Sequence, residues 1–371
     1  ISDYHEVDPA FGTLDDLDDL VDAVHDRGMH LILDLVVNHT SDEHAWFGES
    51  RQDRVNPKAD WYIWRDPRAG AIGGTPGAEP NNWGSFFSGS AWEWVPERGQ
   101  YYLHLFSRKQ PDLNWDDPEV RRAIYAMMNW WLDRGIDGFR MDVINFISKD
   151  PFLPDGRLTP TGYGDGMPFF AYGPHVHEYL AEMRREVFGH RSGHYFTVGE
   201  MPGVTPEQAA RFTDCRTGQL DMVFQFEHVE LDQDGSKWAF RPVTLADLKR
   251  SLGRWQEALA TRGWNSLYWE NHDQPRVVSR WGNDADHWYA SATALATVLH
   301  LHRGTPFVYQ GEELGMTNVS FTSIDDFRDI EAVSYFNTAV GQRGCDEEEV
   351  LSSLRRKARD NARAPMQWDA G

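Results

Sequence analysis

The stretch that decides the fold is residues 13–37, which read TLDDLDDLVDAVHDRGMHLILDLVV. Its first half is typical of a helix. Thr13 and the acidic residue three positions later form a capping-box-like start, and leucines and valines recur on one face until Gly28. The second half, Met29–Val37, is apolar apart from one histidine and one aspartate, as in a strand buried on both faces of a parallel sheet. The pattern predicts a helix followed by a parallel strand.

The same helix–strand unit recurs along the chain. Asp117 and Pro118 begin a helical pattern that ends at Gly135, and the strand Ile136–Met141 follows. Further strands are predicted at Tyr195–Val198, Met222–Phe226, Ser266–Trp269 and Pro306–Tyr309, with helices at Val176–Phe188, Pro206–Phe212, Leu245–Ala260 and His287–Leu301. Such repetition predicts an α/β fold with a parallel sheet and helices outside it. Six strands are counted where a (β/α)8 TIM barrel has eight, so we expect an incomplete barrel whose first two strands are missing.

Residues 41–114 interrupt this rhythm. They are rich in Trp, Gly, Pro and Asn and show no helical period. A segment of that length inside a βα repeat is typical of a functional insertion. We therefore expect barrel at 1–40 (the end of the second βα unit and the third strand), a small inserted subdomain after strand 3 at 41–114, and the remainder of the barrel at 115–371.

Composition excludes several classes of partner. The 371 residues contain 58 Asp and Glu against 36 Lys and Arg, which gives a net charge of −22. Such a chain has few cations to replace the counterions of a nucleic acid or to bind an anionic membrane surface. Its two cysteines, Cys215 and Cys345, are too few for a disulfide framework or a structural zinc site, and no apolar run approaches ~18 residues. We expect a cytoplasmic monomer with no nucleic-acid or membrane partner.

Polar side chains lie at the carboxyl ends of four predicted strands. They are Asp34 and His39 at the first, Arg140 and Asp142 at the second, Glu200 at the third, and His272 and Asp273 at a later one. Each residue alone is more often a capping or ion-pairing group than a catalytic one. So many charges are hard to explain as structure, because burying them unpaired is costly. In a barrel these strand ends converge on the face that holds the chemistry. Glu270 is a further acidic group for which the pattern gives no role.

This set of residues suits the hydrolysis of a neutral acetal. One carboxylate attacks the anomeric carbon, and a second, protonated one donates to the leaving oxygen. An arginine beside the nucleophile stabilises its ionised form, and histidines can donate hydrogen bonds to sugar hydroxyls. Asp142 and Glu200 follow consecutive strands, so a separation near the ~5 Å of a retaining pair is expected.

These residues closely resemble the conserved regions of glycoside hydrolase family 13, the α-amylase family. The four regions are Asp34-Leu-Val-Val-Asn-His39, Gly138-Phe-Arg-Met-Asp142, Val198-Gly-Glu200 and Asn271-His-Asp273. The resemblance implies that Asp142 is the nucleophile, Glu200 the general acid/base and Asp273 the third carboxylate, which binds the 2- and 3-hydroxyls of glucose. It also implies that Asp34, His39, Arg140 and His272 bind the substrate.

Further motifs are similar to one branch of that family, the oligo-1,6-glucosidases. They are Gln110-Pro-Asp-Leu-Asn114, Asp142-Val-Ile-Asn-Phe-Ile-Ser-Lys149, Gly199-Glu-Met-Pro-Gly203 and Arg363-Ala-Pro-Met-Gln-Trp-Asp369. In that branch Arg363 would hold the nonreducing glucose. The residue after the nucleophile lines the aglycone side, where a valine accompanies α-1,6 preference and smaller or polar residues accompany α-1,4. Here it is Val143. The alternative is that Val143 is simply a well-packed barrel residue.

The resemblance also sets expectations about what the chain lacks. Against the family pattern, the first two strands and the C-terminal β-domain are absent, so we expect a central fragment that is inactive when expressed alone. We expect no cofactor and no metal ligands among these residues. A calcium site, such as some members carry after strand one, would lie in the missing N-terminal segment.

The function that the resemblance favours is a retaining, exo-acting α-glucosidase. It would hydrolyse terminal α-1,6-linked glucose from short isomalto-oligosaccharides through a covalent glucosyl-enzyme. An α-1,4-glucosidase, a trehalose-6-phosphate hydrolase or a sucrose- or trehalose-converting enzyme would share the same nucleophile and acid. A hypothesis of a different class is a non-catalytic glucosidase-like domain of a transporter heavy chain, which predicts a membrane span upstream and a damaged catalytic set.

Overall fold

The structure is a computed structural model that describes residues 1–216 and 218–369. The chain forms two compact units. The first comprises residues 1–204 and 211–223, and the second comprises residues 205–210 and the chain from residue 224 onward.

The first unit contains the opening βα pattern and the inserted segment. Its helices are α1 (Leu14–His25), α2 (Ala45–Ser50), α3 (Pro118–Asp133), α4 (Met167–Phe170) and α5 (Val176–Met183), and its strands are β1 (Ile32–Leu35), β2 (Trp64–Arg65), β3 (Trp92–Val95), β4 (Gln100–Leu103), β5 (Gly138–Met141), β6 (Arg157–Leu158), β7 (Gly164–Asp165) and β8 (Phe196–Glu200). Helix α6 (Pro206–Phe212) and strand β9 (Met222–Phe224) lie where the chain passes between the units. The predicted start of α1 is confirmed, since Thr13 and Asp16 form a reciprocal capping box.

A four-stranded sheet of order β1-β5-β8-β9 forms the frame of the first unit. β1, β5 and β8 run parallel, with Ile32 opposite Gly138 and Gly138 opposite Phe196. The predicted strand at Met29–Val37 is confirmed, although only Ile32–Leu35 is paired as a strand. Gly138 has a φ of 155°, and a Cβ there would lie 1.9 Å from the carbonyl oxygen of Phe196. The close approach of β5 to β8 therefore requires glycine at this position.

Residues 41–114 have secondary structure of their own. β2, β4 and β3 form an antiparallel sheet in that order. The expectation that residues 41–114 contain no helix is wrong, because α2 is a short helix whose first turn is capped by the His44 ring, with Nδ1 accepting from the N–H of Trp46 at 3.0 Å. A six-residue helix is too short to show a period. Trp83 and Trp92 are buried in a hydrophobic cluster, so part of the tryptophan excess is packing.

The second unit is mostly helical. It contains α7 (Leu245–Ala258), α8 (Val277–Trp281), α9 (Trp288–Leu301), α10 (Ile330–Phe336), α11 (Glu347–Lys357), and the parallel pair β10 (Ser266–Leu267) and β11 (Thr305–Pro306). The predicted helices at Leu245–Ala260 and His287–Leu301 are confirmed within three residues at their ends. α8, α10 and α11 were not predicted.

A buried ion triad joins three segments of the second unit. The carboxylate of Asp232 pairs with Arg280 through Nε at 2.6 Å and with the Nζ of Lys357 at 2.5 Å. All three side chains are at most 2% exposed. Burial alone would raise the pKa of Asp232, but Arg280 and Lys357 lower it to about 2. The triad fixes α8 and α11 to the segment that contains Asp232.

The six strands expected in the barrel all appear. In the part of the chain that the structure describes, however, they form two separate hydrogen-bonded sheets and not one closed barrel. No helix within residues 1–216 and 218–369 is both long and apolar enough to cross a membrane.

Candidate active site

One arginine of the first unit contacts three carboxylates. Nη1 of Arg140 lies 2.8 Å from Asp34 Oδ1 and 2.7 Å from Asp142 Oδ1. Its Nη2 lies 2.7 Å from Glu200 Oε1. The two residues that were expected to act as nucleophile and acid are therefore bound to the two ends of one planar guanidinium, a geometry that fixes them relative to each other.

Strand register explains how these four residues meet. Asp34 lies opposite Arg140 in the parallel pairing of β1 with β5, so both side chains leave the same face of the sheet. Asp142 follows β5 directly, and its N–H donates to the carbonyl oxygen of Leu35 at 2.9 Å. Glu200 is the last residue of β8 and is 5% exposed. The cluster thus forms at the carboxyl ends of three adjacent strands.

Charge balance at this cluster favours the cationic form of its arginine. Burial would lower the pKa of Arg140, but the carboxylates of Glu200, Asp34 and Asp142 raise it well above its usual range. The single positive charge is shared among three acidic groups. One guanidinium therefore serves three acidic side chains.

The residue after Asp142 has an unusual backbone. Val143 is in the left-handed region, with φ 35° and ψ 42°, and its side chain is buried. This conformation is rare and strained for a β-branched residue. Its N–H donates to Oε2 of Glu200 at 3.2 Å. The turn after β5 thus supplies a second donor to Glu200 besides Arg140.

His39 is buried beside the cluster. Burial lowers the pKa of its imidazole, opposed by the charges of Asp142 and Asp112, so the ring is neutral at pH 7. The amide of Gln110 donates to Nε2 at 3.0 Å, and the ring packs against Phe106 with 5.2 Å between centroids. Phe106 could not be predicted as a site residue, because an aromatic residue in an aromatic-rich segment carries no specific signal in the sequence.

A buried lysine lies beneath the site. Lys149 Nζ is 3.0 Å from Asp112 Oδ2, and it donates to Asn38 Oδ1 at 3.0 Å and to the carbonyl of Phe146 at 2.8 Å. The side chains of Lys149 and Asp112 are 4% and 0% exposed. Its position was part of a motif, but no role was predicted for it. The ammonium group holds the Asn38-His39 segment to the inserted segment.

The second unit brings together the other three expected residues. Arg363 Nη2 lies 2.9 Å from Asp273 Oδ1, and Arg363 Nε donates to the carbonyl of His272 at 3.0 Å. The ring of His272 lies 3.6 Å from the Asp273 carboxylate. Burial would raise the pKa of Asp273, but Arg359, His272 and Arg363 lower it, so the group is an anion at neutral pH.

Two residues that support this second group were missed. Arg359 Nη1 lies 3.2 Å from Asp273 Oδ1, and Asp329 Oδ2 lies 2.8 Å from Arg363 Nη1. Asp329 begins α10, where its side chain also accepts from the N–H of Glu331. Neither residue lies in a motif at a predicted strand end, so only the folded structure shows that Arg359 contacts Asp273 and that Asp329 contacts Arg363.

Glu270 has a structural role. Its carboxylate pairs with Arg276 at 2.8 Å and accepts from the N–H of Val277, the first residue of α8, at 2.5 Å. Both charged side chains are 1% exposed. Burial raises the pKa of Glu270, and the two donors oppose that shift. Glu270 therefore fixes the start of α8 and does not belong to the group around Asp273.

The structure thus forms two groups from the nine expected residues. Asp34, His39, Arg140, Asp142, Val143 and Glu200 lie in the first unit, and His272, Asp273 and Arg363 lie in the second. Within each unit the expected residues are within contact of one another or of a shared neighbour. In both groups, carboxylates are held by an arginine and lie near a histidine ring. Such carboxylates can act as a nucleophile, as a proton donor or as acceptors for hydroxyl groups.

Known proteins share this sequence and fold. The family described as alpha amylase, catalytic domain, matches residues 1–371. The chain is 55% identical over 370 residues to an oligo-1,6-glucosidase from Bacillus cereus, covering 100% of this chain and 65% of that protein. Two solved structures are also similar, each over 100% of this chain and 65% of the other. They are a variant of trehalose-6-phosphate hydrolase from Bacillus licheniformis (46% identity, TM-score 0.92) and trehalulose synthase from Pseudomonas mesoacidophila MX-45 (44%, 0.91). The chain therefore spans about 65% of the length of these relatives.

Proposed function

This chain belongs to the α-amylase family, and we propose that it carries the catalytic residues of a retaining, exo-acting α-glucosidase that cleaves terminal α-1,6-linked glucose from short isomalto-oligosaccharides. The observation that carries the proposal is the contact of Arg140 with both Asp142 and Glu200. Family membership and the structural likeness imply a (β/α)8 barrel, in which these strand ends form the active face.

In the proposed reaction Asp142 and Glu200 divide the work. The Asp142 carboxylate attacks the anomeric carbon while Glu200 transfers a proton to the leaving glycosidic oxygen, which gives a covalent glucosyl-enzyme. Glu200 then takes a proton from water as the water attacks the same carbon, and the glucose leaves with its configuration retained. Binding of both carboxylates to one guanidinium supports a separation near the ~5 Å of retaining pairs.

The contacts of Glu200 have a consequence for the first step. Arg140 and the N–H of Val143 both stabilise an ionised carboxylate at Glu200. Proton donation needs the acid form. We infer that a bound sugar takes over the contact with Arg140 before Glu200 carries the proton, so that protonation of Glu200 is coupled to substrate binding.

The other expected residues would bind the nonreducing glucose. Asp273 would accept hydrogen bonds from its 2- and 3-hydroxyls, and His39 and His272 would donate to hydroxyl oxygens. Asp34 and Arg363 would hold the remaining side of the ring. The partner is thus a small neutral oligosaccharide, and we propose no cofactor, a monomeric state, a cytoplasmic location and no nucleic-acid or membrane partner.

Linkage preference rests on Val143 and on the relatives. The relative from Bacillus cereus is named an oligo-1,6-glucosidase. Trehalose-6-phosphate hydrolase and trehalulose synthase are among the similar structures, so hydrolysis of a phosphorylated disaccharide and sucrose isomerisation are the alternatives within the family. The arginines near Asp273 are paired with Asp273 and Asp329, which argues against a phosphate site there. We further propose that residues 41–114 are an inserted subdomain between barrel segments 1–40 and 115–371.

Product analysis on the full-length protein that contains residues 1–371, and not on residues 1–371 expressed alone, tests this proposal. Glucose release is measured from isomaltose, maltose, sucrose and trehalose, and the first-formed anomer is followed by NMR. We expect isomaltose to be the best substrate and α-glucose to appear first. First-formed β-glucose would refute retention, and a clear preference for maltose would refute the linkage assignment. No turnover of any glucoside, with all catalytic residues present, would favour a non-catalytic domain.

A further inference from the structure

Three metal-ligating side chains meet at the edge of the main sheet opposite to the carboxylate cluster. His25 lies in the last turn of α1, His30 precedes β1 and Asp137 precedes β5. His25 Nε2 lies 2.9 Å from Asp137 Oδ2, and His30 Nδ1 lies 3.0 Å from Asp137 Oδ1. One potential ligand atom from each of the three residues lies within 4.8 Å of the others. The sequence gives no signal for this group, because the spacing matches no metal-binding motif.

Local structure brings these residues together. Gly28, with φ 68°, ends the turn after α1, and the chain then reverses so that His30 returns beside the helix end. Asp137 is held in place by the N–H of Leu31, which donates to Oδ2 at 2.8 Å. This hydrogen bond orients the carboxylate and leaves Oδ1 directed at His30. A ligating carboxylate is usually oriented by such a donor.

We propose that His25, His30 and Asp137 bind a divalent transition-metal ion of the zinc class. Two imidazole nitrogens and one carboxylate oxygen are the ligands that Zn²⁺ and Cu²⁺ prefer, and they do not suit Ca²⁺ or Mg²⁺. Bonds of ~2.0–2.1 Å to a tetrahedral ion place the ligand atoms about 3.3 Å apart. The observed separations, 2.9 Å from His25 to Oδ2 and 3.0 Å from His30 to Oδ1 of Asp137, are shorter by a few tenths of an ångström and end on different oxygens, so the ion would contact both oxygens or one after a small shift of a histidine side chain. A solvent molecule would complete the coordination.

Exposure makes the site accessible. The side chains of His25 and His30 are 37% and 72% exposed, whereas that of Asp137 is 17% exposed. Asp137 is the least exposed of the three residues and therefore anchors the site, and the two histidines lie on its solvent side. An imidazole coordinates a metal through the lone pair of one nitrogen and keeps an N–H on the other, so binding requires little reorganisation of the rings.

The position of the site predicts what the ion does. It would join the end of α1 to the starts of β1 and β5, which lie at the amino-terminal edge of the sheet. Residues at that face of a barrel affect stability, whereas those at the carboxyl edge carry the chemistry. An ion that binds only the folded state stabilises it by RT ln(1 + [ion]/Kd) and so raises the unfolding temperature as the ion concentration rises.

Metal titration of the full chain tests the proposal. Protein treated with EDTA and dialysed is titrated with ZnCl₂ by calorimetry, and its Tm is measured with and without the ion. Cu²⁺ electron paramagnetic resonance then reports the nitrogen ligands. We expect one site that raises Tm by several degrees and gives a two-nitrogen Cu²⁺ signal. His30→Ala should weaken Zn²⁺ binding at least tenfold and remove the Tm shift.

Two controls keep the outcome decisive. His190→Ala replaces another exposed histidine of the first unit and should leave Zn²⁺ binding and the Tm shift unchanged. His25→Gln should act like His30→Ala. Both histidines are partly exposed, so neither change removes core packing. Equal Zn²⁺ affinity in the native chain and in His30→Ala, or no Tm shift at saturating Zn²⁺, would overturn the proposal.

Discussion

The backbone N–H of Val143 donates to the carboxylate of Glu200 at 3.2 Å. This bond exists because Val143 is held in the left-handed region, which turns its N–H toward β8. The residue directly after the proposed nucleophile therefore orients the proposed acid. A substitution at 143 that changes the backbone would disturb the acid, whereas one that keeps a β-branched side chain would change only the surface offered to the substrate.

Val143→Thr should shift linkage preference without loss of fold. Threonine has the branched shape of valine and adds a hydroxyl, so the turn is kept while the aglycone side becomes polar. We expect the ratio of kcat/KM for maltose to that for isomaltose to rise about tenfold, the range that one small group provides. Steady-state kinetics on both sugars measure it.

The matched control for this change is Val187→Thr. Val187 is a fully buried valine of the segment Arg184–Phe188, away from the carboxylate cluster. Both changes bury a hydroxyl and should lower stability, but Val187→Thr should leave the ratio of kcat/KM for the two substrates unchanged. If Val143→Thr behaves in the same way, Val143 is a packing residue and does not set linkage preference.

Glu200→Gln should separate proton donation from nucleophilic attack. With a sugar as leaving group, loss of the general acid should lower the rate of glucosylation about 10²–10⁴-fold. An aryl glucoside with an acidic phenol as leaving group needs no proton in the first step, so glucosylation should be far less impaired. Pre-steady-state bursts with both substrates measure this. An equal fall in the glucosylation rate for the sugar substrate and for the aryl glucoside would mean that Glu200 is not the general acid.

Arg363→Lys should weaken catalysis far more than stability. Arg363 uses three nitrogens to reach Asp273, Asp329 and the carbonyl of His272, and a single ammonium cannot span them. We expect kcat/KM to fall about 10²-fold because Asp273 loses its orientation. Since the side chain of Arg363 is 41% exposed, Tm should change little. The control is Arg328→Lys, at an exposed neighbouring position. A similar loss in the control would contradict the assignment.

His228 should make the second unit sensitive to acid. Burial lowers the pKa of His228 to about 4, and the neutral ring is bonded to the carbonyl of Tyr268 at 2.7 Å and to Gln225 at 2.8 Å. Below pH 6.5 the unfolded chain binds a proton that the folded chain does not, so stability falls as pH falls. Between pH 7 and 5 we expect a loss of about 2 kcal/mol from this group.

Urea unfolding at the two pH values measures this contribution. In His228→Gln the pH-dependent loss should shrink by that amount. His300→Gln, at an exposed position on α9, is the control and should leave the pH dependence as it is. An unchanged pH dependence in His228→Gln would show that the histidine is not buried as a neutral ring.

Asp232→Asn should be the most destabilising change in the ion triad. It leaves Arg280 and Lys357 buried without an anion, and breaking a buried pair in this way costs about 3–5 kcal/mol. Lys357→Met should cost less, because Asp232 keeps its two contacts with Arg280. The midpoints of urea unfolding of the two variants show which change destabilises the protein more. The reverse order would mean that Lys357, and not Arg280, neutralises Asp232.

Much of the first unit could be predicted from the sequence because its signals are local. Apolar runs mark strands buried on both faces, and the order of polar residues after them places Asp34, Arg140, Asp142 and Glu200 at one sheet edge. The contact of Arg140 with three carboxylates at once follows from strand register, which a single sequence does not specify.

Other parts depend on signals that are short or distant. α8 has five residues, too few to show a period. α11 does carry local signals, since Asp346 caps it and apolar residues recur on one face, so its sequence is sufficient to predict a helix. Arg359 reaches Asp273 across 86 positions of the chain, and Asp329 reaches Arg363 across 34, so no local pattern could have connected them.

The sharing of Arg140 among three acids has a consequence for inhibitors. When Asp34, Asp142 and Glu200 are all ionised, their three negative charges face the one positive charge of Arg140, which leaves a formal surplus of two negative charges. A neutral glucose mimic gains nothing from this surplus, whereas a ring nitrogen that carries a proton is attracted to it at short range. An iminosugar should therefore bind more tightly than the uncharged lactam of the same shape. The ratio of their inhibition constants would report how much unbalanced charge the site retains.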